Sequence, residues 1–163
     1  MSSGESSLQA PSPEVVGRAV KKLIGASRHG VLATLLPEGG GPYASLVNFA
    51  VDENECAPIL LLSQLAWHTR NIAADNRGCL LVTEEPGAKD VLAAARVSLL
   101  GTLRPTERNG IDAVYFRAHP SARSYGRFSD FRFYEFNVDT AHYVAGFGQI
   151  VTLGRAQLIN ATS

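Results

Sequence analysis

Polar side chains that can bind an anion are concentrated in one short segment, residues 63–71, which reads Ser-Gln-Leu-Ala-Trp-His-Thr-Arg-Asn. The segment follows an apolar run and precedes helix-forming residues, and such a junction leaves backbone N–H groups free at the positive end of a helix dipole. Ser63 and Thr69 add hydroxyl donors, and Arg70 adds a guanidinium group suited to phosphate oxygens. His68 could donate as well or could simply orient the turn. The segment therefore predicts a phosphate site, although a capped helix beside a solvated arginine would show the same residues.

Metal-ligating residues show no such concentration. The four histidines are His29, His68, His119 and His142. Their spacing matches no metal-ligand pattern, so we predict no metal site. Cys56 and Cys79 form no close-spaced motif, and we expect two reduced thiols, as in a cytoplasmic protein.

Composition narrows the class of protein. Of the 163 residues, 45% are hydrophobic and 18% are charged, which is enough apolar material for one packed domain. Fifteen basic and fifteen acidic residues balance, whereas a nucleic-acid-binding protein usually carries a basic excess. We therefore expect no nucleic-acid partner. No apolar run approaches the about 20 residues that span a bilayer, so we expect no membrane association.

The elements that must position segment 63–71 are mostly strands. Ser12 and Pro13 are typical of the start of a helix, which we expect to end near Gly25. We expect a second helix over 66–76 and a third capped by Thr106 and stopped by Pro120. Alternating or continuous apolar patterns predict strands at 29–36, 43–51, 59–62, 79–83, 96–104, 131–138 and 143–153. A change of phase near Phe133 suggests either a β-bulge there or a strand buried on both faces.

Short turns between these strands favour antiparallel pairing, and three helices are too few for a parallel doubly wound sheet. The prediction is a mainly β protein, a small closed or half-closed barrel with peripheral helices. We expect residues 1–12 to be a disordered tail, residues 13–153 to be the barrel domain and residues 154–163 to be a C-terminal tail.

Five sequence blocks give a more specific expectation. They are Gly30-Val-Leu-Ala-Thr-Leu, Gly41-Pro-Tyr-Ala-Ser-Leu-Val, Leu62-Ser-Gln-Leu-Ala-Trp-His-Thr-Arg-Asn, Ala95-Arg-Val-Ser-Leu-Leu-Gly-Thr-Leu and Tyr143-Val-Ala-Gly-Phe-Gly. Together they resemble the pyridoxamine 5'-phosphate oxidase-like FMN-binding split-barrel family, in the branch that contains the heme-utilisation (HugZ-type) proteins. The resemblance covers residues 14–153.

This resemblance implies a six- to seven-stranded antiparallel split β-barrel that forms a homodimer and holds FMN in a cleft between the subunits. It places the phosphate and ribityl region at Ser63, Gln64, Thr69, Arg70 and Asn71, with Leu62 and His68 in the same block. It places the isoalloxazine ring beside Ala44, Ser45, Leu46 and Val47. Arg96 would lie near the phosphate, either as a ligand from the partner subunit or as a surface ion-pair residue.

An aromatic group near the C-terminal end has two interpretations. Its members are Phe128, Phe131, Phe133, Tyr134 and Phe136. They could form core and dimer interface, or they could form a wall over a planar ligand.

The function that the resemblance implies is an FMN-binding flavoprotein, an FMN-dependent oxidoreductase acting on a small-molecule substrate, in which the flavin carries the electron chemistry. The family's C-terminal Arg-x-His pair is missing from the stretch that follows Gly148, and the residues alone identify no catalytic acid or base. Two alternatives stay open: a heme-binding or heme-utilisation protein, either carrier or degrading enzyme, and a cofactor-binding module without turnover.

Overall fold

The structure is a computed structural model that describes residues 11–52, 56–85, 87, 90–146 and 148–161. Residues 1–10 of the predicted N-terminal tail lie outside the described residues. The helices are α1 (Pro13–Ala26), α2 (Trp67–Ala74), α3 (Ile111–Ala118) and α4 (Arg155–Asn160), with short 3-10 helices at Val91–Ala93 and Pro120–Ser124. The strands are β1 (His29–Leu35), β2 (Pro42–Val51), β3 (Pro58–Ser63), β4 (Arg77–Thr83), β5 (Arg96–Pro105), β6 (Phe131–Ala145) and β7 (Gln149–Gly154).

The strands form one antiparallel sheet in the order β3-β2-β1-β4-β5-β6-β7. An additional pairing between β3 and β6 closes the first six strands into a barrel, and β7 extends the sheet beyond the closure. Short connections explain the antiparallel order: β1 and β2, for example, are joined by a turn over residues 37–40. The predicted mainly β, antiparallel barrel with peripheral helices is confirmed.

The barrel interior and the outside of β3 form two separate apolar cores. The interior holds the inward residues of the strands, including Leu32, Phe49 and Leu80, and α1 covers it with Val16 and Val20. Strand β3 is buried on both faces, because its outward residues pack against α3 and the following 3-10 helix. That second core places α3 against β2 and β3.

The β-bulge lies further along the chain than Phe133. Pairing of β5 with β6 shifts register between Leu100 and Gly101, opposite Asp139, whereas β6 pairs regularly with β3 at Phe133. Gly101 is required at the bulge, since a Cβ there would overlap the backbone carbonyl of Asn137. The phase change in the sequence fits the other prediction, a strand packed on both faces, because Phe133 packs in the outer core while Tyr134 and Phe136 face the barrel interior.

Two predicted element boundaries were wrong at the C-terminal end. Tyr143 continues β6 instead of starting a new strand, and the turn lies after Ala145, where Gly146 and Gly148 have φ of 56° and 109°. The predicted tail 154–163 contains α4, whose Leu158 is buried against α1. Lys21 of α1 donates from its ammonium group to the carbonyl oxygens of Ile159 and Ala161, which holds the end of α4.

The helix starts differ in how they are capped. Ser12 caps α1 as predicted, because its hydroxyl accepts from Val15 N–H at 3.4 Å. Thr106 does not cap α3: the N-cap is Gly110, whose φ of 82° is left-handed, and the Thr106 hydroxyl accepts from Arg108 N–H. No helix among the described residues is long and apolar enough to cross a membrane.

Candidate functional site

A cavity of about 350 Å³ lies on the outer side of β2 and β3, under α3 and beside the start of α2. It is lined by Leu46, Val47, Asn48, Leu61, Leu62, Ser63, Ala66, His68, Tyr115, Tyr125 and Phe131. Most of these side chains are apolar or aromatic, and the volume lies within the range of small-molecule sites. Five of the twelve residues predicted to bind a cofactor therefore border one cavity: Leu46, Val47, Leu62, Ser63 and His68.

His68 is the most distinctive side chain of the cavity. It lies in the first turn of α2, and its Nδ1 is 3.1 Å from the hydroxyl oxygen of Ser45 on β2. The opposite ring nitrogen, Nε2, is buried and has no hydrogen-bond partner among the described residues. Burial lowers the pKa of His68 below its ordinary value, which favours the neutral imidazole. His68 thus presents a neutral ring with one nitrogen fixed and the other unpaired.

The aromatic wall of the cavity comes from three separate elements. Tyr115 lies on α3, Tyr125 follows the 3-10 helix, and Phe131 starts β6, with the rings of Tyr125 and Phe131 5.1 Å apart. Burial raises the pKa of Tyr115 far above its ordinary value, so the phenol stays protonated. Sequence reasoning missed Tyr115 and Tyr125 as cavity residues; the aromatic density around 125–136 was the available signal.

Three residues predicted to bind phosphate use their side chains inside the fold instead. The Ser63 hydroxyl donates to Asp130 Oδ2 at 3.0 Å, and the Thr69 hydroxyl donates to the Ser63 carbonyl at 2.7 Å. Asn71 is buried, and its amide donates to the Thr34 hydroxyl at 2.9 Å. These bonds fix the segment between β3 and α2, and they place the Asp130 carboxylate where a phosphate would be repelled.

The remaining residues of the segment differ in their availability. Gln64 Nε2 donates to the Tyr134 hydroxyl at 3.3 Å, and its backbone N–H donates to the Asp130 carbonyl at 2.6 Å. Arg70 is exposed and forms no side-chain hydrogen bond or ion pair among the described residues. The N-cap position of α2, Ala66, offers no capping side chain. Arg70 and the first N–H groups of α2 are therefore the groups free to meet an anion.

Arg96 lies away from the cavity. The part of β6 that borders β3 pairs with β5 near Arg104, and Arg96 lies at the other end of β5, about 26 Å away at the usual rise per residue. The Arg96 guanidinium donates to the carbonyl oxygens of Leu92 at 3.0 Å and Ala94 at 3.5 Å. A contact between Arg96 and a ligand in this cavity thus requires the arginine of a second subunit, which stays a prediction.

The predicted ring-binding strand presents two faces. Ser45 and Val47 point inward, whereas Ala44 and Leu46 lie on the outer face, where Leu46 is 73% exposed. Leu46 is paired across the strands with Val31, and Val31 with Leu81. Leu46 borders both the cavity and an apolar outer surface of the sheet, so the cavity opens toward that surface. Whether any of these residues binds a cofactor stays a prediction.

The chemistry available to the site follows from these side chains. A protonated phenol, a neutral imidazole and apolar walls suit a planar, largely apolar ligand that carries a soft electrophilic centre such as a transition metal. Among the described residues, no group of three or more histidine, cysteine, aspartate or glutamate side chains is arranged to hold a metal ion on its own. A metal at this site would therefore arrive with its own ligand set.

The fold and the site together define a small split β-barrel protein with a cavity on the outer side of its sheet. The chain belongs to the CREG β-barrel family, whose model matches residues 11–158. Because that family has the split-barrel fold of the pyridoxamine-phosphate-oxidase-like proteins, the resemblance drawn from the sequence blocks is confirmed.

Three known proteins illustrate the relationship. The chloroplastic heme oxygenase HOZ of Arabidopsis thaliana is 29% identical over 131 residues, which is 78% of this chain and 39% of HOZ. The solved structure of a heme-binding protein from Mycobacterium smegmatis is 28% identical with a TM-score of 0.83, over 91% of this chain and 60% of that one. A pyridoxinephosphate-oxidase-family protein from Clostridium acetobutylicum shares the fold at 14% identity and a TM-score of 0.68, over 89% of this chain and 98% of that one. This chain thus spans less than two thirds of HOZ and of the mycobacterial protein.

Proposed function

We propose that this protein binds heme in the cavity beside His68. The observation that carries the proposal is the buried Nε2 of His68, which has no partner among the described residues and borders an apolar cavity. An unpaired buried polar atom is costly unless something binds it, and a neutral imidazole nitrogen is a common axial ligand of heme iron. When bound, heme would supply the redox or oxygen chemistry, and the protein would hold the iron through His68.

The rest of the cavity fits the macrocycle. Leu46, Leu61 and Phe131 offer apolar contact, and the exposed Arg70, two residues after His68, is suited to a carboxylate such as a propionate. The names of HOZ and of the mycobacterial protein support heme as the ligand. Because this chain spans only part of both, the proposal is limited to heme binding. The cytoplasmic location stays a prediction, and HOZ is named as chloroplastic.

A second subunit would complete the site. A volume of about 350 Å³ is at the low end for ligand pockets, so a heme would extend over the exposed rim at Leu46 and Trp67. The outer face of the sheet beside this rim continues with Val31 and Leu81 and reaches the exposed Leu100. An apolar face of this kind marks an interaction surface. We therefore propose a homodimer with the heme cleft at its interface, as the family resemblance implies.

FMN is the second candidate, and it depends on different atoms. Arg70 and the first N–H groups of α2 could hold its phosphate, which is the observation in its favour. Against it, Ser63, Thr69 and Asn71 already donate to partners inside the fold, and Asp130 adds a negative charge beside Ser63. The donor set therefore suits heme better than a phosphate ester.

The test is a heme titration followed by absorbance, with His68→Ala and a matched variant, His142→Ala. His142 also pairs through Nδ1 with a hydroxyl, that of Thr152 at 2.9 Å, but it lies on the β6–β7 surface away from the cavity. We expect tight binding and an intact Soret band for the wild type and His142→Ala, and loss of both in His68→Ala. Added imidazole should restore the band in His68→Ala, because it can occupy the space left by the ring.

Two outcomes contradict the proposal. The first is that His68→Ala binds heme as tightly as the wild type and with the same spectrum. The second is that the protein takes up FMN and not heme. In that case Arg70→Ala should weaken FMN binding much more than riboflavin binding, since only FMN carries the phosphate dianion.

A further inference from the structure

A second, larger cavity lies between α1 and α3, at the end of β2, and is called here the basic groove. Its volume is about 810 Å³, and five of its thirteen lining residues are basic. They are Arg18, Lys21, Lys22, Arg28 and Arg117. The chain as a whole has equal numbers of basic and acidic residues, so this concentration of positive charge is local.

The described residues neutralise the positive charge of the basic groove only in part. Among them the one lining carboxylate is Asp52, which lies 3.5 Å from Arg108 outside the groove, and Arg18 is paired with Glu14 at 2.8 Å. Lys22 and Arg117 form no ion pair or hydrogen bond among the described residues. Charged donors that converge on a cavity from two helices raise the local concentration of an anion and can hydrogen-bond it.

Lys21 and Arg28 also line the groove, and both donate to backbone carbonyl oxygens. Lys21 donates to the end of α4, and Arg28 donates to Gly25 at 2.8 Å and Ser27 at 3.0 Å. A carbonyl orients a cation without cancelling its charge. These bonds therefore hold two further cations in place at the groove.

The remaining walls of the basic groove are apolar. Ile24 is buried, and Val114 and Ala118 face the groove beside Val51 and Ala50. A ligand that uses both kinds of wall carries a compact anionic group on an apolar body. The balanced overall charge argues against a nucleic acid, which requires an extended basic surface.

The basic groove and the cavity beside His68 lie on different faces of α3. Residues 114, 117 and 118 are spaced to share one helix face and line the groove, whereas Tyr115 points to the cavity beside His68. We propose that the basic groove is a separate binding site for a small phosphomonoester with an apolar body, with Lys22 and Arg117 as the phosphate-binding residues. The site does not depend on heme.

The probe for this proposal is 1-naphthyl phosphate, titrated by calorimetry into the full chain. The test variant is Lys22→Ala/Arg117→Ala, and the matched control is Arg104→Ala/Arg155→Ala, which removes the same charge from exposed positions outside the groove. We expect saturable binding to the wild type and about tenfold or greater loss of affinity in the test variant, because hydrogen bonds to charged groups are the stronger kind. The control should keep its affinity within about twofold, since distant exposed charges are screened by salt.

Three results would overturn the proposal. Binding to the wild type that does not saturate means that the groove is not a site. Equal weakening of both double variants means that only overall charge matters. If 1-naphthol, which lacks the phosphate, binds as tightly as 1-naphthyl phosphate, the basic residues do not recognise the anion.

Discussion

Replacing Ser45 with alanine removes one hydroxyl from the site and leaves the strand intact. The Ser45 hydroxyl lies 3.1 Å from His68 Nδ1. For Nε2 to offer its lone pair to iron, the ring proton must sit on Nδ1 and be donated to Ser45. Ser45 is therefore expected to fix both the tautomer and the orientation of the ring. Without it, the imidazole can rotate within the cavity and can carry its proton on Nε2.

The expected loss of heme affinity can be estimated from other metal-bound histidines that lose a hydrogen-bond partner. Removing the hydrogen-bond partner of a metal-bound histidine costs about 10- to 100-fold in affinity, or roughly 1.4 to 2.8 kcal/mol. Loss of the same hydrogen bond costs folding only about 1 kcal/mol, because it joins neutral groups. We expect Ser45→Ala to bind heme at least about tenfold more weakly than the wild type while unfolding in a single transition close to that of the wild type.

The assay is a heme titration at the Soret band, beside thermal unfolding of the heme-free protein. Thr152→Ala is the matched control, because it removes a hydroxyl 2.9 Å from His142 Nδ1 at a site away from the cavity. It should leave heme affinity unchanged. If Ser45→Ala binds heme like the wild type, or if Thr152→Ala weakens binding equally, the assignment of His68 as the oriented ligand is wrong.

Three further predictions follow from the pKa, the outer face and α4. Burial lowers the pKa of His68 in the folded protein below its ordinary value of 6.5. As the pH falls below 6.5, the unfolded chain therefore takes up a proton more readily than the folded chain, and the heme-free protein loses stability. His68→Gln should flatten this decline in urea titrations between about pH 7 and 5.5. Leu46→Glu should convert a dimer into monomers in sedimentation, whereas Ile159→Glu, which alters an exposed residue of α4, should not. Leu158→Ala should cost about 2 to 5 kcal/mol of unfolding free energy, because Leu158 is 2% exposed, while Ile159→Ala, at 52% exposed, should cost far less.

The fold was predictable where local patterns and turns agree. The β1–β2 hairpin and α1 follow from alternation, helical spacing and the Ser12 cap. The end of β6 was not predictable, because the bulge at Asp139 shifts the apolar alternation between Val138 and Ala141, so that one strand has the pattern of two. Helix α4 was missed since it has six residues and a single buried side chain, Leu158. Its stability comes from packing against α1, which no local pattern reports.

The position of the candidate site was predictable from the sequence, but the hydrogen-bond partners of its side chains were not. Segment 63–71 does join a buried strand to a helix beside a cavity, as its residues indicate. The partners of its side chains are distant in sequence: Thr34 accepts from Asn71, and Asp130 accepts from Ser63. Sequence spacing cannot show that such donors are already used. The sequence likewise did not show that Tyr115 of α3 lines the cavity, because the position of α3 depends on the second core outside β3.

The hydrogen bonds inside the fold give segment 63–71 a structural role. Donors that satisfy one another hold the junction between β3 and α2 rigid, and a rigid junction fixes the direction in which the first turn of α2 presents its side chains. If heme binds as proposed, the atom that holds it is the one that the network leaves unpaired, Nε2 of His68. Within one split-barrel scaffold, the preferred ligand can therefore change without a movement of the backbone. If the hydroxyls of Ser63 and Thr69 had no partners inside the fold, they would favour a phosphate. Because both donate inside the fold, the site favours a ligand that needs a single nitrogen and apolar walls.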